Sequence, residues 1–177
     1  QVAPHVSSDR DGNFVVVWSS YSQYSYYTEV FGQRFAANGD PVGSEFHVNT
    51  DPTDWSYPAG PSVASDADGD FVVVWNNYHY GIAGQRFAAD GSPQGGEFLV
   101  NTYPGGYQVD SKVASEPDGD FVVVWESYGQ DGSDFGIMGQ RFDAGGDRLG
   151  GEFQMNSFTT SSQWSPDLTV DSGGTFK

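Results

Sequence analysis

The stretch VASDADGDFVVVW, residues 63–75, decides how the chain must be read. A small-residue segment, residues 61–65, passes through an Asp/Gly turn at 66–70 into an apolar, β-branched run that ends at Trp75. An Asp-Gly pair between two extended runs marks a tight hairpin turn. The run FVVVW is apolar at odd and even positions alike. Both faces of its strand therefore need cover, which places it in mid-sheet.

FVVVW recurs at 14–18 and 121–125, about 50 to 57 residues apart. GQRF follows at 32–35, 84–87 and 139–142. A third block, centred on Glu45-Phe46, Glu97-Phe98 and Glu152-Phe153, runs on into Val48-Asn49, Val100-Asn101 and Met155-Asn156. Each unit reads as four short strands: the small-residue strand, FVVVW, a third over 81–87 and a fourth over 97–101, with a turn at 88–93 between the last two. No stretch carries a helical period, so the chain is all-β. A repeat of this length suits one four-stranded antiparallel blade of a β-propeller.

A lone four-stranded sheet with two apolar faces is not stable, and radial stacking of such sheets buries both. The expected fold is one repeat domain, 1–177, with blades at about 1–57, 58–107 and 108–162 and a partial fourth at 163–177. The last assignment follows from QWSPDLTVDSGGTFK (163–177), which lines up with QVAPHVSSDRDGNFV (1–15). Propellers commonly close with 4–8 blades. The expectation is therefore an incomplete ring continued by remaining blades of a longer chain, or a ring closed by self-association with a second copy. A chain opening at Gln1 without Met reads as processed, excised or truncated. A β-sandwich or a stacked solenoid would bury the same faces and stands as the alternative.

Composition narrows the partners. The formal charge is −17, from 24 acids against 7 Lys and Arg. Such a surface repels phosphate backbones and anionic lipid, so no nucleic acid is expected as a partner. No apolar run approaches the roughly 20 residues of a membrane span. Cysteine is absent, which excludes a disulfide framework, a thiolate zinc site and a cysteine nucleophile.

On a propeller path the loops after second strands and the connections between blades share one face. All 10 tyrosines fall in those loops and connections. The candidate ligand-binding set is Tyr26, Tyr27, Trp55, Tyr57, Tyr78, Tyr80, Tyr103, Tyr107, Tyr128 and Trp164, interleaved with Asp51, Asp54, Asp110, Asp131 and Asp134. Flat rings beside carboxylates suit sugars, and they serve protein recognition equally well. Packing of the loops onto the sheets is the plainer reading of the same residues.

Asp66, Asp68, Asp70, Asp118 and Asp120 crowd carboxylates at glycine turns and are the candidate metal ligands; calcium is the cation they would take, if any. The spacing falls short of a full calcium loop, and an Asp-Gly turn needs no metal. Arg34, Arg86 and Arg141 precede a repeated Phe, as do Glu45, Glu97 and Glu152 on the next strand, which predicts a recurring ion pair. His5, His47 and His79 stand at non-equivalent positions. No nucleophile elbow, phosphate loop or zinc motif is present.

The segments VASDADGDFVVVW (63–75) and YGIAGQRFAADGSPQGGEFLVNT (80–102) resemble tandem repeats of large secreted or surface bacterial proteins, which often accompany calcium-binding or adhesion modules. The resemblance implies an extracellular propeller-like array and no defined activity. The turn at 65–71 is more loosely similar to the Asp-box of sialidase propellers and to integrin-type calcium loops, and it departs from both in spacing.

Together these features lead to the expectation of a secreted or cell-surface, non-catalytic binding module, lectin-like, taking a glycan or a surface-protein ligand on its tyrosine-rich face. The alternative is a structural or assembly repeat of a large surface protein or filament. A glycoside-acting enzyme, resting only on the abundance of paired carboxylates, is the third reading.

Overall fold

The computed structural model describes residues 1–21, 28–50, 58–77, 81–171 and 175–177. Among these the chain is all-β, with no helix. The first sheet is β1 (Val2–Ser8), β2 (Phe14–Tyr21), β3 (Thr28–Phe35) and β4 (Pro41–His47). The second is β5 (Ala59–Ser65), β6 (Phe71–Asn77), β7 (Gly81–Phe87) and β8 (Pro93–Leu99). The third is β9 (Gln108–Ser115), β10 (Phe121–Tyr128), β11 (Phe135–Phe142) and β12 (Phe153–Gln154). Each is antiparallel, with its strands in chain order. The fourth strands begin four residues earlier than expected, at Pro41 and Pro93, and the fourth strand of the third sheet shrinks to two residues.

The sheets stack face to face in a propeller-like way. The first strands lie side by side, β1 against β5 and β5 against β9. One apolar core, with Val15, Val17, Val63, Val73 and Trp75, fills the gap between the first two sheets. A second, with Val72, Val74, Val113, Val123 and Trp125, fills the gap between the second and third. All five residues of FVVVW are buried in β6, whose sheet lies between the other two, and in β10, whose sheet has the second sheet on one side and C-terminal residues such as Leu168 and Phe176 on the other. In β2 burial alternates instead, because only one face of the first sheet is covered.

Each letter of the repeat has a structural task. The Phe of FVVVW stacks on the Phe of GQRF at 4.9–5.0 Å in all three sheets. The Gly of GQRF lies beneath the ring of the fourth-strand Phe: a Cβ on Gly84 would come 2.7 Å from Phe98 Cζ. The buried Gln donates from Nε2 to the next backbone carbonyl and to a bulge glycine on the neighbouring strand, as Gln85 does to Arg86 O (2.8 Å) and Gly95 O (3.3 Å). The Asn that follows the fourth strand accepts from a third-strand N–H: Asn49 from Val30, Asn101 from Ile82 and Asn156 from Ile137, at 2.7–2.8 Å. These bonds satisfy polar groups that burial would otherwise penalise.

The expected Arg–Glu ion pair within each hairpin does not form. Arg34 Nη1 donates instead to the carbonyl of Asp90, and Arg86 Nη1 to that of Ala144 (2.6 Å), each in the following sheet. Glu97 accepts from Thr50 N and Oγ1, and Glu152 from Thr102 N and Oγ1, each reaching the preceding sheet. Register explains the difference: a bulge between Gly84 and Arg86 turns the two side chains to different neighbours. The charges link sheets rather than strands.

The described residues 163–171 and 175–177 repeat the start of the first sheet in outline. Val170 and Phe176 form an isolated bridge, and Thr169 exchanges backbone bonds with Lys177. The segment lies against the third sheet through Leu168 and Phe176.

Candidate functional site

Since the repeated residues are occupied in building the sheets, positions that are equivalent in the fold but differ in chemistry are the place to look for a site. The first strands share one device. Ala3, Gly60 and Asp110, with Ser165 at the same place in the C-terminal segment, all have φ between +50° and +60°. The register shifts beside each of the first three. This left-handed bulge turns the chain where it enters the stack, and glycine alone adopts it without strain.

Two residues beyond the bulge stand His5, Ser62, Lys112 and Asp167. The first two tie neighbouring sheets together: Val63 N donates to His5 Nδ1 and Val113 N to Ser62 Oγ, both at 3.2 Å. Lys112 turns back and its ammonium pairs with the Asp110 carboxylate. Directly after the tryptophan of each second strand stand Ser19, Asn76 and Glu126. Asn76 Oδ1 accepts from Ser111 N (3.4 Å) across the gap to the third sheet. Glu126 does the same one sheet further on, Oε1 accepting from Ser165 N at 2.6 Å.

Asp110, Lys112 and Glu126 thus form one charged cluster at the entry to the third sheet. Glu126 is 4% exposed. Burial pushes its carboxyl above the ordinary range; the Asp110 charge adds to the shift, while the Ser165 N–H and the Lys112 ammonium oppose it. Its Oε2 has no hydrogen-bond partner among the described residues.

His5 shifts the other way. Burial and the Lys112 ammonium lower its pKa, more than Asp167 and the Val63 bond raise it. The neutral ring is the one whose Nδ1 accepts from Val63. A histidine depressed on folding contributes stability that is complete above its unfolded value of about 6.5 and lost as pH falls through that value toward the folded one. The unfolding midpoint is expected to fall between about pH 7.5 and pH 5.5, and the drop to shrink in His5→Gln. Thermal melts across that window measure it; an unchanged pH profile in the variant contradicts the assignment.

The aromatic candidates divide. Tyr26, Tyr27, Trp55, Tyr57, Tyr78 and Tyr80 lie outside the described residues. Tyr107, Tyr128 and Trp164 are exposed and stand close to the charged cluster along the chain. Tyr128 N donates to Tyr107 O (2.9 Å); Phe135 packs edge-on against Tyr128 (5.2 Å) and tilted against Trp164 (4.5 Å). In sequence Tyr107 precedes Asp110 by three residues, Tyr128 follows Glu126 by two, and Trp164 adjoins Ser165. Tyr103, half-buried, and Tyr107 also line a 530 Å³ cleft between the second and third sheets, with Asn76, Asn101, Gln108 and Arg148.

The candidate metal ligands do not converge. Asp66 Oδ1 accepts from Asp68 N and Asp70 N (2.9 and 3.0 Å), closing its own turn. Asp70 and Asp120 accept from Ala89 N and Ala144 N, joining the two turns of one sheet. Asp68 pairs with Arg10 at 3.3 Å, and Asp118 accepts weakly from Asp120 N (3.4 Å). Among the described residues no group of three or more His, Asp or Glu side chains is placed to hold a metal ion. Nor is any helix among them long and apolar enough to cross a membrane.

No known protein family matches the chain, and neither does any curated protein. Solved structures do. The family-43 endo-arabinanase of Bacillus licheniformis is 18% identical with a TM-score of 0.58, over 99% of this chain and 76% of that one. The native arabinanase of Bacillus subtilis is 15% identical with a TM-score of 0.58, over 97% and 64%. The endo-arabinase of Bacteroides thetaiotaomicron is 15% identical with a TM-score of 0.57, over 99% and 69%. The chain spans 64% to 76% of their lengths. At such identities the likeness establishes a shared fold. It also corrects two expectations, that of a non-catalytic, lectin-like binding module and that of a chain that is not an enzyme. The first was argued from the tyrosine-rich face and the second from the lack of a recognised catalytic motif, whereas the solved structures that share these stacked sheets are glycoside hydrolases.

Proposed function

We propose that this protein acts on glycosides as part of a β-propeller, with Asp110 and Glu126 as the reacting carboxylates. The observation that carries the reading is a comparison of equivalent sites. In the second sheet a neutral amide, Asn76, makes the link to the next sheet. A carboxylate is therefore not needed for that link, yet the third sheet places Glu126 there, buried, with a raised pKa and Asp110 nearby.

Two carboxyl groups in unlike surroundings are what glycoside hydrolysis uses. Glu126, whose proton is held above the ordinary carboxyl range, donates it to the glycosidic oxygen as the bond to the anomeric carbon breaks. Asp110, in contact with Lys112, takes the proton of the water that adds to that carbon. Tyr107, Tyr128 and Trp164 supply flat apolar surfaces for neighbouring sugar rings. The fold shared with arabinanases makes arabinan and arabino-oligosaccharides the first substrates to try.

The test is release of reducing sugar from a panel of arabinans, xylans and their aryl glycosides. Turnover that disappears in Asp110→Asn supports the assignment. A panel on which the native chain releases nothing, or an Asp110→Asn variant with native rates, rejects it.

A further inference from the structure

The cleft between the second and third sheets is set apart by its charge. The chain carries 24 acids against 7 Lys and Arg. The clefts beside the Asp-Gly turns follow that balance, with Asp9, Asp11 and Asp68 in one gap and Asp66, Asp68, Asp70 and Asp118 in the next. Among the described residues no carboxylate lines the 530 Å³ cleft, and its one charged side chain is Arg148. An acid-free wall around a guanidinium, on a molecule this acidic, is a local seat for an anion. The volume lies within the usual range of small-ligand pockets, about 300–1,000 Å³.

Arg148 is an exception to the repeat. It bridges to Phe142 where Pro41 pairs with Phe35 and Pro93 with Phe87. The sheet itself therefore requires no cation there. Arg148 Nη2 donates to Leu99 O (2.6 Å) and weakly to Val100 O (3.5 Å), which holds the guanidinium across the gap between sheets. No carboxylate among the described residues pairs with it. A guanidinium presents its N–H donors as a planar fork, and a carboxylate is the group that fork fits.

The facing wall is held in place by its own hydrogen bonds. Residues 102–107 form no strand. Thr102 Oγ1 (2.8 Å) and Tyr103 N (3.3 Å) donate to Glu152 Oε1, and Gln130 Nε2 donates to Glu152 Oε2 (2.7 Å). Ser127 Oγ continues the chain to Gln130 Oε1 (2.7 Å) and accepts from Gln108 Nε2 (3.2 Å), which also donates to Gly105 O (2.7 Å). Gly106, at φ +68°, lies so close to the Tyr128 carbonyl that a Cβ has no room. The half-buried Tyr103 and the amides of Asn101 and Gln108 are thus positioned around the cleft without filling it.

We propose that this cleft binds the uronate unit of an acidic glycan, its carboxylate on Arg148, its ring beside Tyr103 and its hydroxyls among the amides of Asn76, Asn101 and Gln108. The inference rests on the glycoside reading for the kind of ligand and adds the charge that the ligand carries. Val109 lines the cleft and is the chain neighbour of Asp110, so an acidic substituent here sits beside the reacting carboxylates.

NMR titration of the intact chain with methyl glucuronide, methyl glucoside and acetate tests the inference. The two sugars differ only in a carboxylate for a hydroxymethyl, and acetate is the bare anion. The glucuronide should shift the amides of Asn101, Gly106 and Gln108 and bind at least about 10-fold tighter than either of the others. Arg148→Gln, which keeps a donor for Leu99 O, should lose that preference. So should Asn76→Asp, which keeps the acceptor for Ser111 N and brings a negative charge to the cleft; it decides the matter if the first variant fails to fold. No binding, shifts elsewhere, equal affinity for the glucoside or for acetate, or a preference that survives both substitutions overturns the inference. Binding is read without turnover, so a chain that takes the glucuronide but cleaves no glycoside fails the proposed reaction alone. A chain that cleaves glycosides but ignores the carboxylate fails this inference alone.

Discussion

Glu126→Gln is expected to lose at least about 100-fold in glycoside turnover while resisting heat as well as or better than the native chain. The two effects share a cause. Folding raises the Glu126 pKa, so above the folded value the carboxylate costs stability, and the cost is relieved as pH falls through that value. Glutamine removes the cost at neutral pH and keeps an oxygen for Ser165 N, as Asn76 does for Ser111. It cannot donate the proton that a departing sugar oxygen requires. Parallel rate measurements and thermal melts read both quantities. A variant that melts well below the native protein would show Glu126 to be structural, and one with native turnover would remove it from the reaction.

Phe121→Ala should strongly destabilise the fold. Phe121 is 2% exposed, stacks on Phe142 at 4.9 Å and meets Phe98 of the second sheet at 6.2 Å. Its loss removes a buried ring from the junction of two sheets and leaves a cavity, at a cost of about 3–5 kcal/mol. Domains are commonly stable by only about 5–15 kcal/mol. Urea titration of the variant checks the figure, and a loss below about 1 kcal/mol would mean that the ring is not where two sheets meet.

Much of the fold was legible because the repeat prints it three times. FVVVW, apolar at every position, reads as a strand that needs cover on both faces, as β6 and β10 have, and Asp66–Gly69 as a turn. The Arg–Glu pairing was misread because it depends on bulges at Gly43, Gly95 and Gly150, which redirect the two side chains and leave no mark in charge pattern. The site was obscured by the same repetition. The aromatic candidates stand out by number: Tyr107, Tyr128 and Trp164 lie close to the cluster along the chain, Tyr103 lines the neighbouring cleft, and six lie outside the described residues. Asp110 appeared only as one acid among several. His5 stood only as one of three histidines at non-equivalent positions, and Glu126 and Lys112 belong to no motif, although Ser19, Asn76 and Glu126 fall in one column when the repeats are set beneath one another. What the sequence could not show is that this column and the bulge column meet in space, since β9 and β10 shift register between Val124 and Glu126.

The stacking of sheets is tested most directly by three tryptophans that are identical in sequence but not in place. Trp75 and Trp125, 1% and 0% exposed, each face a preceding sheet, whereas Trp18 sits half-covered on the open face. Unfolding free energies of the three Trp→Ala variants should fall by about 3–5 kcal/mol for Trp75 and Trp125 and by less than half of that for Trp18. Equal losses at all three positions would contradict the stack.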